Sequence, residues 1–386
     1  MRFRHKDGST VHVSYCTNVH PAETIEGITA QLDAYAEPVR VRLGSKRLGL
    51  GLWLPAETAA TLAADEGAVA RLRRELSARG LETVTLNGFP YHGFHAPVVK
   101  RAVYYPDWSE PARLEYTLHL ARVLAGLLPD DVTHGSVSTL PLAWRTVWTS
   151  AQRRTAARQL TALTEGLKQL AADTGKIVRV GIEPEPGCVA ETVEQAVEIL
   201  TGTDPEWLGV CLDACHLAVA HEDPDSALAL LRSSGRAVVK LQASTALEAP
   251  EPALAGQRAA LEAFAEPRFL HQTRERGPGG TVLASDDLGG ALAGELPGVE
   301  PWRVHYHVPL HEEPEAPLAG TREVLRATLR GLLGGERAGT GHVEVETYTW
   351  SVLPGAREDS LVEGLAAELD WMRGELLALG LEEEDS

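Results

Sequence analysis

The chain has 386 residues, 44% of them hydrophobic and 23% charged, which suits one large globular domain or two smaller ones. Its 36 basic and 54 acidic side chains give a formal net charge of −18, which disfavours nucleic-acid backbones and anionic membrane surfaces as partners. Four irregularly spaced cysteines and the lack of a long apolar run argue against a disulfide scaffold or a membrane span, so we predict a soluble, cytoplasmic protein.

Strand-like and helix-like segments alternate along the chain. Amphipathic patterns such as AVARLRRELSARG, AARQLTALTEGLKQLAADTGK and TREVLRATLRGLLGG lie between short segments with period-two alternation. Nine segments are predicted to be strands: VHVSYCTNV, LGLGLWLP, LETVTLNGFP, GSVSTLPL, VRVGIEPEP, LGVCLDACH, VVKLQAS, RVHYHVPL and VEVETYTW. Because parallel strands need a crossover connection, usually a helix, this order predicts a parallel sheet.

We expect this sheet to close into a (β/α)8 TIM barrel. The rival fold, an open doubly wound sheet, carries a glycine-rich phosphate loop after its first strand, and the matching segment CTNVHPAE has no glycine. A barrel has eight strands, so one of the nine segments lies outside it.

The predicted organisation is a single barrel domain over residues 1–380 and a solvated acidic tail at 381–386. A segment rich in Ala, Gly, Pro and Glu, at about 246–300, is expected to be an insertion before the seventh barrel strand or near it. RVHYHVPL, TREVLRATLRGLLGG and VEVETYTW are then expected to form a βαβ unit.

Four predicted strands end in a polar residue with metal-ligand chemistry, namely Glu183, Asp213, Gln242 and Glu346. Side chains alternate between the two faces of a strand, so the apolar set of VRVGIEPEP faces the helices and Glu183 faces the barrel interior. The same alternation directs the other three inward. Polar residues at the C-terminal ends of barrel strands form the active face of this fold.

The three carboxylates among them predict a divalent metal ion (zinc, manganese or magnesium). Buried carboxylates are costly unless they bind a cation or form ion pairs. The alternative is that they pair with basic residues, namely Lys240, Arg179 or Arg303. Glu185 and Glu344 share the inward parity and are alternatives to Glu183 and Glu346.

Histidines near these strand ends are further candidates. His216 follows Asp213 by three residues in CLDACH, which suits a metal or substrate contact, or else a helix-start histidine beside a capping aspartate. His307 faces inward near the end of RVHYHVPL and is a ligand candidate, whereas His305 is expected to stack in a barrel layer. His271, in the insertion, either covers the site as a ligand or lies on the surface.

Two loops supply candidate substrate-binding residues. CTNVHPAE and LNGFPYHGFH carry Asn18, His20, Asn87, Tyr91 and His95. Amide and imidazole groups with aromatic neighbours suit a hydroxylated, sugar-like ligand, although loop aromatics serve equally well in packing.

Motifs spread over nearly the whole chain resemble the EboE family of metabolite traffic proteins. They are SYCTNVHPAE, LNGFPYHGFH, VYYPDW, GSVSTLPL, GIEPEP, VCLDACH, LHQT, RVHYHVPL and VEVETYTWSVLP. That family belongs with the xylose-isomerase-like TIM barrels, which include sugar isomerases, sugar epimerases and endonuclease IV-type repair enzymes. The resemblance implies a small-molecule metabolite as ligand and membrane-associated proteins of a metabolite export set as partners.

The resemblance also implies a divalent-metal site built from Glu, Asp, His and Glu at successive strand ends. Glu183, Asp213 and Glu346 match this pattern, but Gln242 stands where the superfamily usually has histidine. Either His271 or His307 replaces the imidazole, or metal affinity is reduced, since a Gln oxygen is a neutral and weaker ligand.

Three functions follow as hypotheses. The first is a metal-dependent isomerase, epimerase or hydrolase in which Glu183 and Glu346 move a proton between adjacent carbons. The second is a non-catalytic binding or handover protein with a degenerate metal site, which Gln242 favours. The third, a phosphodiesterase acting on nucleic acid, is suggested by CLDACH alone and disfavoured by the charge of −18.

Overall fold

A computed structural model describes residues 1–355 and 361–384 of the chain. Its strands are β1 Arg2–Arg4, β2 Thr10–Cys16, β3 Leu48–Trp53, β4 Leu81–Gly88, β5 His134–Thr139, β6 Ile177–Ile182, β7 Leu208–Asp213, β8 Val238–Ala243, β9 Ala246–Ala249, β10 Thr273–Arg276, β11 Val282–Ser285, β12 Trp302–His307, β13 Ala319–Gly320, β14 His342–Val345 and β15 Glu382–Glu384. Its α-helices are α1 Ile25–Gln31, α2 Glu37–Arg42, α3 Ala56–Ala64, α4 Glu66–Ala78, α5 Pro111–Leu127, α6 Ser150–Thr174, α7 Val193–Leu200, α8 Ala214–Val219, α9 Pro224–Ser233, α10 Ala255–Glu262, α11 Leu288–Gly290, α12 Arg322–Leu333 and α13 Leu361–Ala378.

Eight parallel strands, β2 to β8 and β14, form a closed barrel. They pair in chain order, and β14 pairs with both β8 and β2, which completes the ring. In the closing pair, Val343 lies opposite Val13 and Val345 lies opposite Tyr15. The predicted (β/α)8 barrel is therefore confirmed.

The helices form where sequence signals for starts and stops surround an apolar stripe. α6 begins at a capping box in which Thr149 and Gln152 satisfy each other's backbone amides, and it ends at Gly175, whose φ of +70° is unstrained only for glycine. On α12, Leu325, Leu329 and other apolar residues at helical spacing are buried. No helix in the described part of the chain combines the length and apolar character needed to cross a bilayer.

The eighth of the nine predicted strand segments, RVHYHVPL, is the one that lies outside the barrel. Its strand β12 pairs antiparallel with β10 and β9, in a second sheet ordered β11-β10-β12-β9-β13. The predicted βαβ unit of β12, α12 and β14 is therefore wrong. The physical reason is that this sheet has a core of its own, which includes Leu247, Leu261, Trp302 and Tyr306.

This second sheet belongs to the insertion. The insertion follows the seventh barrel strand, β8, rather than preceding it, and continues past residue 300 to β13 at Gly320. Its GPGG segment forms the turn between β10 and β11, where the Gly277 amide donates to the carbonyl of Thr281 at 2.8 Å.

Part of the predicted acidic tail is structured. Glu382–Glu384 form β15, which pairs antiparallel with β1, and Arg373 forms an ion pair with Glu383 at 3.2 Å. The last two residues of the predicted tail, 385 and 386, lie outside the described residues.

The interior of the barrel is polar along its axis. Lys240 and Glu344 are fully buried there and form an ion pair. Glu344 occupies the space beside Gly51, where a Cβ atom would overlap the carboxylate. The predicted alternation is also observed, since Val178, Val180 and other outward-facing residues are buried in the core beneath the helices.

Candidate functional site

Three carboxylates meet at the C-terminal ends of the barrel strands. Glu183 follows β6, Asp213 ends β7 and Glu346 follows β14, and one oxygen from each lies within 4.8 Å of the others. All three side chains are buried. The predicted convergence of these residues is thus present, and none of the three forms an ion pair with Lys240, Arg179 or Arg303 among the described residues.

Two amides hold the carboxylate of Glu346. Asn18 Nδ2 donates to Glu346 Oε1 at 2.7 Å, and Asn87 Nδ2 donates to the same oxygen at 2.8 Å. Both asparagines were predicted to face inward as substrate-binding residues, and the structure places them beside Glu346. Their direct role is to orient this carboxylate and stabilise its charge.

Asp213 is the N-cap of α8 and orients the start of that helix. Its Oδ1 accepts from the backbone amide of His216 at 2.9 Å and from Ser244 Oγ at 2.7 Å. Its Oδ2 has no hydrogen-bond partner in the described residues. His216 is therefore both a helix-start histidine beside a capping aspartate and a member of the site.

The insertion brings two histidines onto the barrel face. His307 Nδ1 contacts the backbone carbonyl of Glu346 at 2.7 Å, and ligand atoms of Asp213, His216 and His307 lie within 4.8 Å of one another. His305 Nε2 lies 3.0 Å from His216 Nε2. The prediction that His305 stacks in a barrel layer is wrong, because β12 crosses the mouth of the barrel and is not one of its strands.

Gln242 is fully buried beside Asp213 in the β7–β8 register. Neither its Oε1 nor its Nε2 has a partner within the described ranges. A buried amide without partners costs free energy, so a polar partner that reached this side chain would stabilise the protein.

Sequence reasoning missed a second network next to the carboxylates. Tyr104 OH donates to Glu185 Oε1 at 2.6 Å, and Gln272 Nε2 donates to Tyr104 OH at 2.8 Å. Glu185 Oε2 lies 3.4 Å from His216 Nε2, and Gln272 Oε1 lies 2.9 Å from His305 Nδ1. Tyr104 and Gln272 lie in VYYPDW and LHQT, so the motifs indicated these segments but not these side chains.

Several predicted residues are not brought into the cluster. Both ring nitrogens of His271 are engaged: Nδ1 lies 2.9 Å from the carbonyl oxygen of His305, and Nε2 lies 2.9 Å from Glu266 Oε1. Neither nitrogen therefore remains for a metal. His20 stacks on Tyr35 and contacts Tyr15 OH at 3.1 Å.

Tyr91 and His95 also lie outside the cluster. Tyr91 packs edge-on against Tyr116, with its ring centroid 5.1 Å away, and thus contributes to the core behind the loop. His95 Nε2 lies 2.7 Å from the carbonyl of Asn18, so it supports the loop that carries Asn18.

Burial and mutual charge set the protonation of the cluster. Burial raises the pKa of Glu183 to about 7, with His216 opposing the shift and Asp213 adding to it. Burial also holds the pKa of Glu346 well above its ordinary value. For Asp213, burial is outweighed by His216, His307 and hydrogen bonds, so its pKa is lowered. Burial lowers the pKa of His307 to about 4, which leaves a neutral imidazole.

These residues fit a divalent metal ion. Glu183 Oε2, Asp213 Oδ2 and His307 Nε2 are buried and have no hydrogen-bond partner in the described residues. Carboxylate oxygens and neutral imidazole nitrogens are the ligands that zinc and manganese accept, and magnesium accepts the oxygens. A cation would relieve both the repulsion among the carboxylates and the cost of leaving these atoms unpaired.

An aromatic wall closes the space above the cluster. It is lined by Phe89, Phe94, Tyr104, Phe269 and Tyr348. Lys100 lies at the same wall and pairs with Asp287 of the insertion at 2.6 Å. The site is therefore polar at its floor and apolar at its sides, the common character of a small-molecule pocket.

A closed parallel barrel with carboxylates and imidazoles at its C-terminal strand ends defines a (β/α)8-barrel protein with a candidate metal site. The chain belongs to the xylose isomerase-like TIM barrel family, whose model matches residues 49–262. No curated protein matches the chain in sequence.

Solved structures of low sequence identity share the fold. A xylose isomerase-like TIM barrel protein from Mycobacterium smegmatis in complex with magnesium is 13% identical, with a TM-score of 0.52 and coverage of 97% of this chain and 99% of that one. D-psicose 3-epimerase with D-tagatose from Clostridium cellulolyticum H10 is 13% identical, with a TM-score of 0.52 and coverage of 95% and 99%. A D-tagatose 3-epimerase-like protein is 11% identical, with a TM-score of 0.53 and coverage of 96% and 98%.

Proposed function

We propose that the protein binds a divalent metal ion at the carboxylate cluster and acts there on a small hydroxylated metabolite as an isomerase or epimerase. The observation that carries this proposal is that two groups of ligand atoms share Asp213: Glu183 and Glu346 lie within 4.8 Å of it in one group, and His216 and His307 in the other. Glu183 Oε2, Asp213 Oδ2 and His307 Nε2 are buried and have no hydrogen-bond partner in the described residues. Glu346 completes the carboxylate set.

The metal ion would be held by Glu183, Asp213, Glu346 and His307, with Gln242 as a further oxygen ligand. When bound, such an ion supplies polarisation of a carbonyl group and a neighbouring hydroxyl group. His271 is not included, because both of its ring nitrogens are engaged.

Glu183 and Glu346 are the proposed proton carriers. In the metal-free protein burial raises the pKa of Glu183 to about 7, and a bound cation would lower it, so Glu183 would be a carboxylate ready to accept a proton when the metal is present. Asn18 and Asn87 fix the orientation of Glu346. His216 and the Tyr104–Glu185 pair lie beside the cluster, and the Glu185 carboxylate can accept a hydrogen bond from a substrate hydroxyl group. The aromatic wall excludes water from the reacting carbons.

Two structural relatives support this class of substrate and cofactor. One is a D-psicose 3-epimerase with D-tagatose, and another is a complex with magnesium. A sugar-like metabolite also suits the mixed polar floor and aromatic sides of this pocket.

Metal analysis and isotope exchange test the proposal together. Protein purified without chelator should contain about one zinc, manganese or magnesium ion by mass spectrometry. A panel of ketoses and aldoses is then incubated in D2O with the metal-loaded protein. At least one ketose should gain deuterium on the carbon beside its carbonyl group, and the Glu183→Gln variant should produce no such exchange. Absence of metal binding and of deuterium incorporation across the panel would contradict the proposal.

A second candidate is a non-catalytic binding or handover protein for a trafficked metabolite. Gln242 favours it, because an amide at this position weakens the metal site before it weakens binding. The resemblance to EboE proteins supports this role, with membrane-associated export proteins as partners and a cytoplasmic location. A ligand that raises the melting temperature without any deuterium incorporation would support this function over the first.

A further inference from the structure

The opposite end of the barrel has an open cleft of about 720 Å³. It lies at the N-terminal ends of the strands, away from the carboxylate cluster. Several barrel strands contribute their first inward-facing side chains to it, namely His12, His134, Arg179 and His342. In other barrels of this kind this end of the fold serves stability, so an open polar cleft here calls for a separate explanation.

The cleft holds one arginine without an acidic partner among the described residues, in a chain of net charge −18. Arg2, Arg4 and Arg179 line it together with Asp131 and Glu384, and Glu82 also pairs with Arg2. The positive charge available to attract a small anion is therefore that of Arg179.

Arg179 is the arginine left available for a ligand. Arg2 is occupied by Glu82 and Asp131, and Arg4 pairs with Glu384. Arg179 uses only Nε, which donates to the carbonyl of Glu206 at 3.0 Å. No carboxylate in residues 1–355 and 361–384 lies within ion-pair distance of it, so both terminal nitrogens of its guanidinium group can donate elsewhere.

Neutral imidazoles beside Arg179 provide hydrogen-bond acceptors for hydroxyl groups on the organic part of a ligand. Ser136 Oγ donates to Thr85 Oγ1 and accepts from His342 Nδ1 at 2.7 Å, which leaves His342 Nε2 as an acceptor. Burial lowers the pKa of His342 well below its ordinary value and also lowers that of His134. These two rings therefore act as hydrogen-bonding groups, and the positive charge comes from the arginine.

We propose that this cleft is a second small-molecule site, which binds a compact oxyanion such as a phosphate ester or a dicarboxylate on the fork of Arg179. The two parallel N–H groups of a guanidinium match the oxygens of either group. The cleft volume leaves room for a small organic body attached to the anion. The site is independent of the metal and of the function proposed for the carboxylate end.

Isothermal titration calorimetry of metal-free, full-length protein tests the site. The probes are glycerol phosphate and succinate, at constant ionic strength because phosphate also stabilises proteins by exclusion from their surface. We expect saturable binding of at least one probe. Arg179→Met should weaken it tenfold or more, and Arg179→Lys, which keeps the charge but not the fork, should weaken it several-fold. Arg154→Met, at an exposed arginine on α6, is the matched control and should bind as the unaltered protein does.

The possible outcomes distinguish the two types of anion, and they also show whether the proposal is wrong. Binding of glycerol phosphate alone identifies a phosphate ester site, and binding of succinate alone identifies a dicarboxylate site. No saturable heat with either probe up to 10 mM overturns the proposal, as does binding that persists at full strength in both Arg179 variants. The Arg179→Lys variant keeps the test valid if Arg179→Met does not fold.

Discussion

At the scale of single residues, Glu346 shows how the site controls a buried carboxylate. Its Oε1 accepts hydrogen bonds from the side-chain amides of Asn18 and Asn87, and its carboxyl group lies close to those of Glu183 and Asp213. The amides favour the charged form, whereas burial and the two neighbouring carboxylates favour the protonated form. With a metal ion bound as proposed, its affinity should therefore depend on residues that do not touch the metal.

Asn87→Leu should lower the affinity for Mn2+ by about 10–100-fold, the usual cost of removing a partner of a metal ligand. The reason is that Glu346 Oε1 loses one of its two donors. Titration calorimetry with Mn2+ measures the change. Tyr91→Phe is the control, since Tyr91 lies in the same loop region but outside the cluster. An unchanged affinity in Asn87→Leu would show that Glu346 needs no such support.

Gln242→Leu should stabilise the metal-free protein and weaken metal binding. Leucine removes two buried polar atoms that have no partner in the described residues, for a gain of about 1–2 kcal/mol in the free energy of unfolding. Gln159→Leu should have the opposite effect on stability, since Gln159 Nε2 donates to the carbonyl of Trp108 at 2.6 Å. Urea denaturation gives the free energy of unfolding of both variants. A lower value for Gln242→Leu than for the unaltered protein would contradict this prediction.

At the scale of elements, the buried pair of Lys240 on β8 and Glu344 on β14 links two adjacent barrel strands. Lys240→Met should cost about 3–5 kcal/mol of unfolding free energy, because it leaves a buried charge unpaired. The double variant Lys240→Met, Glu344→Leu should recover most of that loss. Urea denaturation of the single and double variants tests this, and additive losses would show that the pair does not couple the strands.

The buried carboxyl group of Glu368 on α13 should make the free energy of unfolding depend on pH. Burial raises its pKa from 4.5 to about 7, although hydrogen bonds from Thr347, the Leu310 amide and Trp350 oppose the shift. The folded state thus binds more protons than the unfolded state between these values, so stability should fall as pH rises from about 4.5 to about 7. Glu368→Gln should remove about 1–3 kcal/mol of this fall.

Unfolding free energies measured between pH 4.5 and pH 8 test this expectation. Glu363→Gln, at an exposed position of the same helix, should keep the slope of the unaltered protein. The same slope in Glu368→Gln would assign the pH dependence to other groups.

At the scale of the whole molecule, ion pairs fasten the insertion to the barrel loops. Asp286 accepts from Arg145 and lies 3.6 Å from Arg101, and Lys100 pairs with Asp287. Asp286→Asn should therefore increase amide hydrogen exchange in residues 98–105, measured by mass spectrometry. Glu336→Gln, which loses an exposed pair with Lys6, is the control and should leave this segment unchanged. Equal hydrogen exchange of residues 98–105 in both variants would show that these ion pairs do not hold the insertion against the barrel loops.

Sequence patterns predicted the parts of this molecule that depend on local periodicity. The alternation of VRVGIEPEP and LGVCLDACH determines which way Glu183 and Asp213 point, whatever the rest of the fold does. The same periodicity could not show that β12 belongs to a separate antiparallel sheet, since parallel and antiparallel strands alternate alike. It also could not show that both nitrogens of His271 are engaged, because Glu266 and the His305 carbonyl reach it only through tertiary packing.

The order of the ring along the chain has a consequence for synthesis on the ribosome. The last barrel strand, β14, pairs with β2, more than 300 residues earlier in the sequence. A growing chain that has released the first seven strands still exposes two unpaired edges, and the entire insertion must emerge before the eighth strand can join them. The histidines of the site are therefore made before the barrel can close, and Glu346, which follows its closing strand, arrives last.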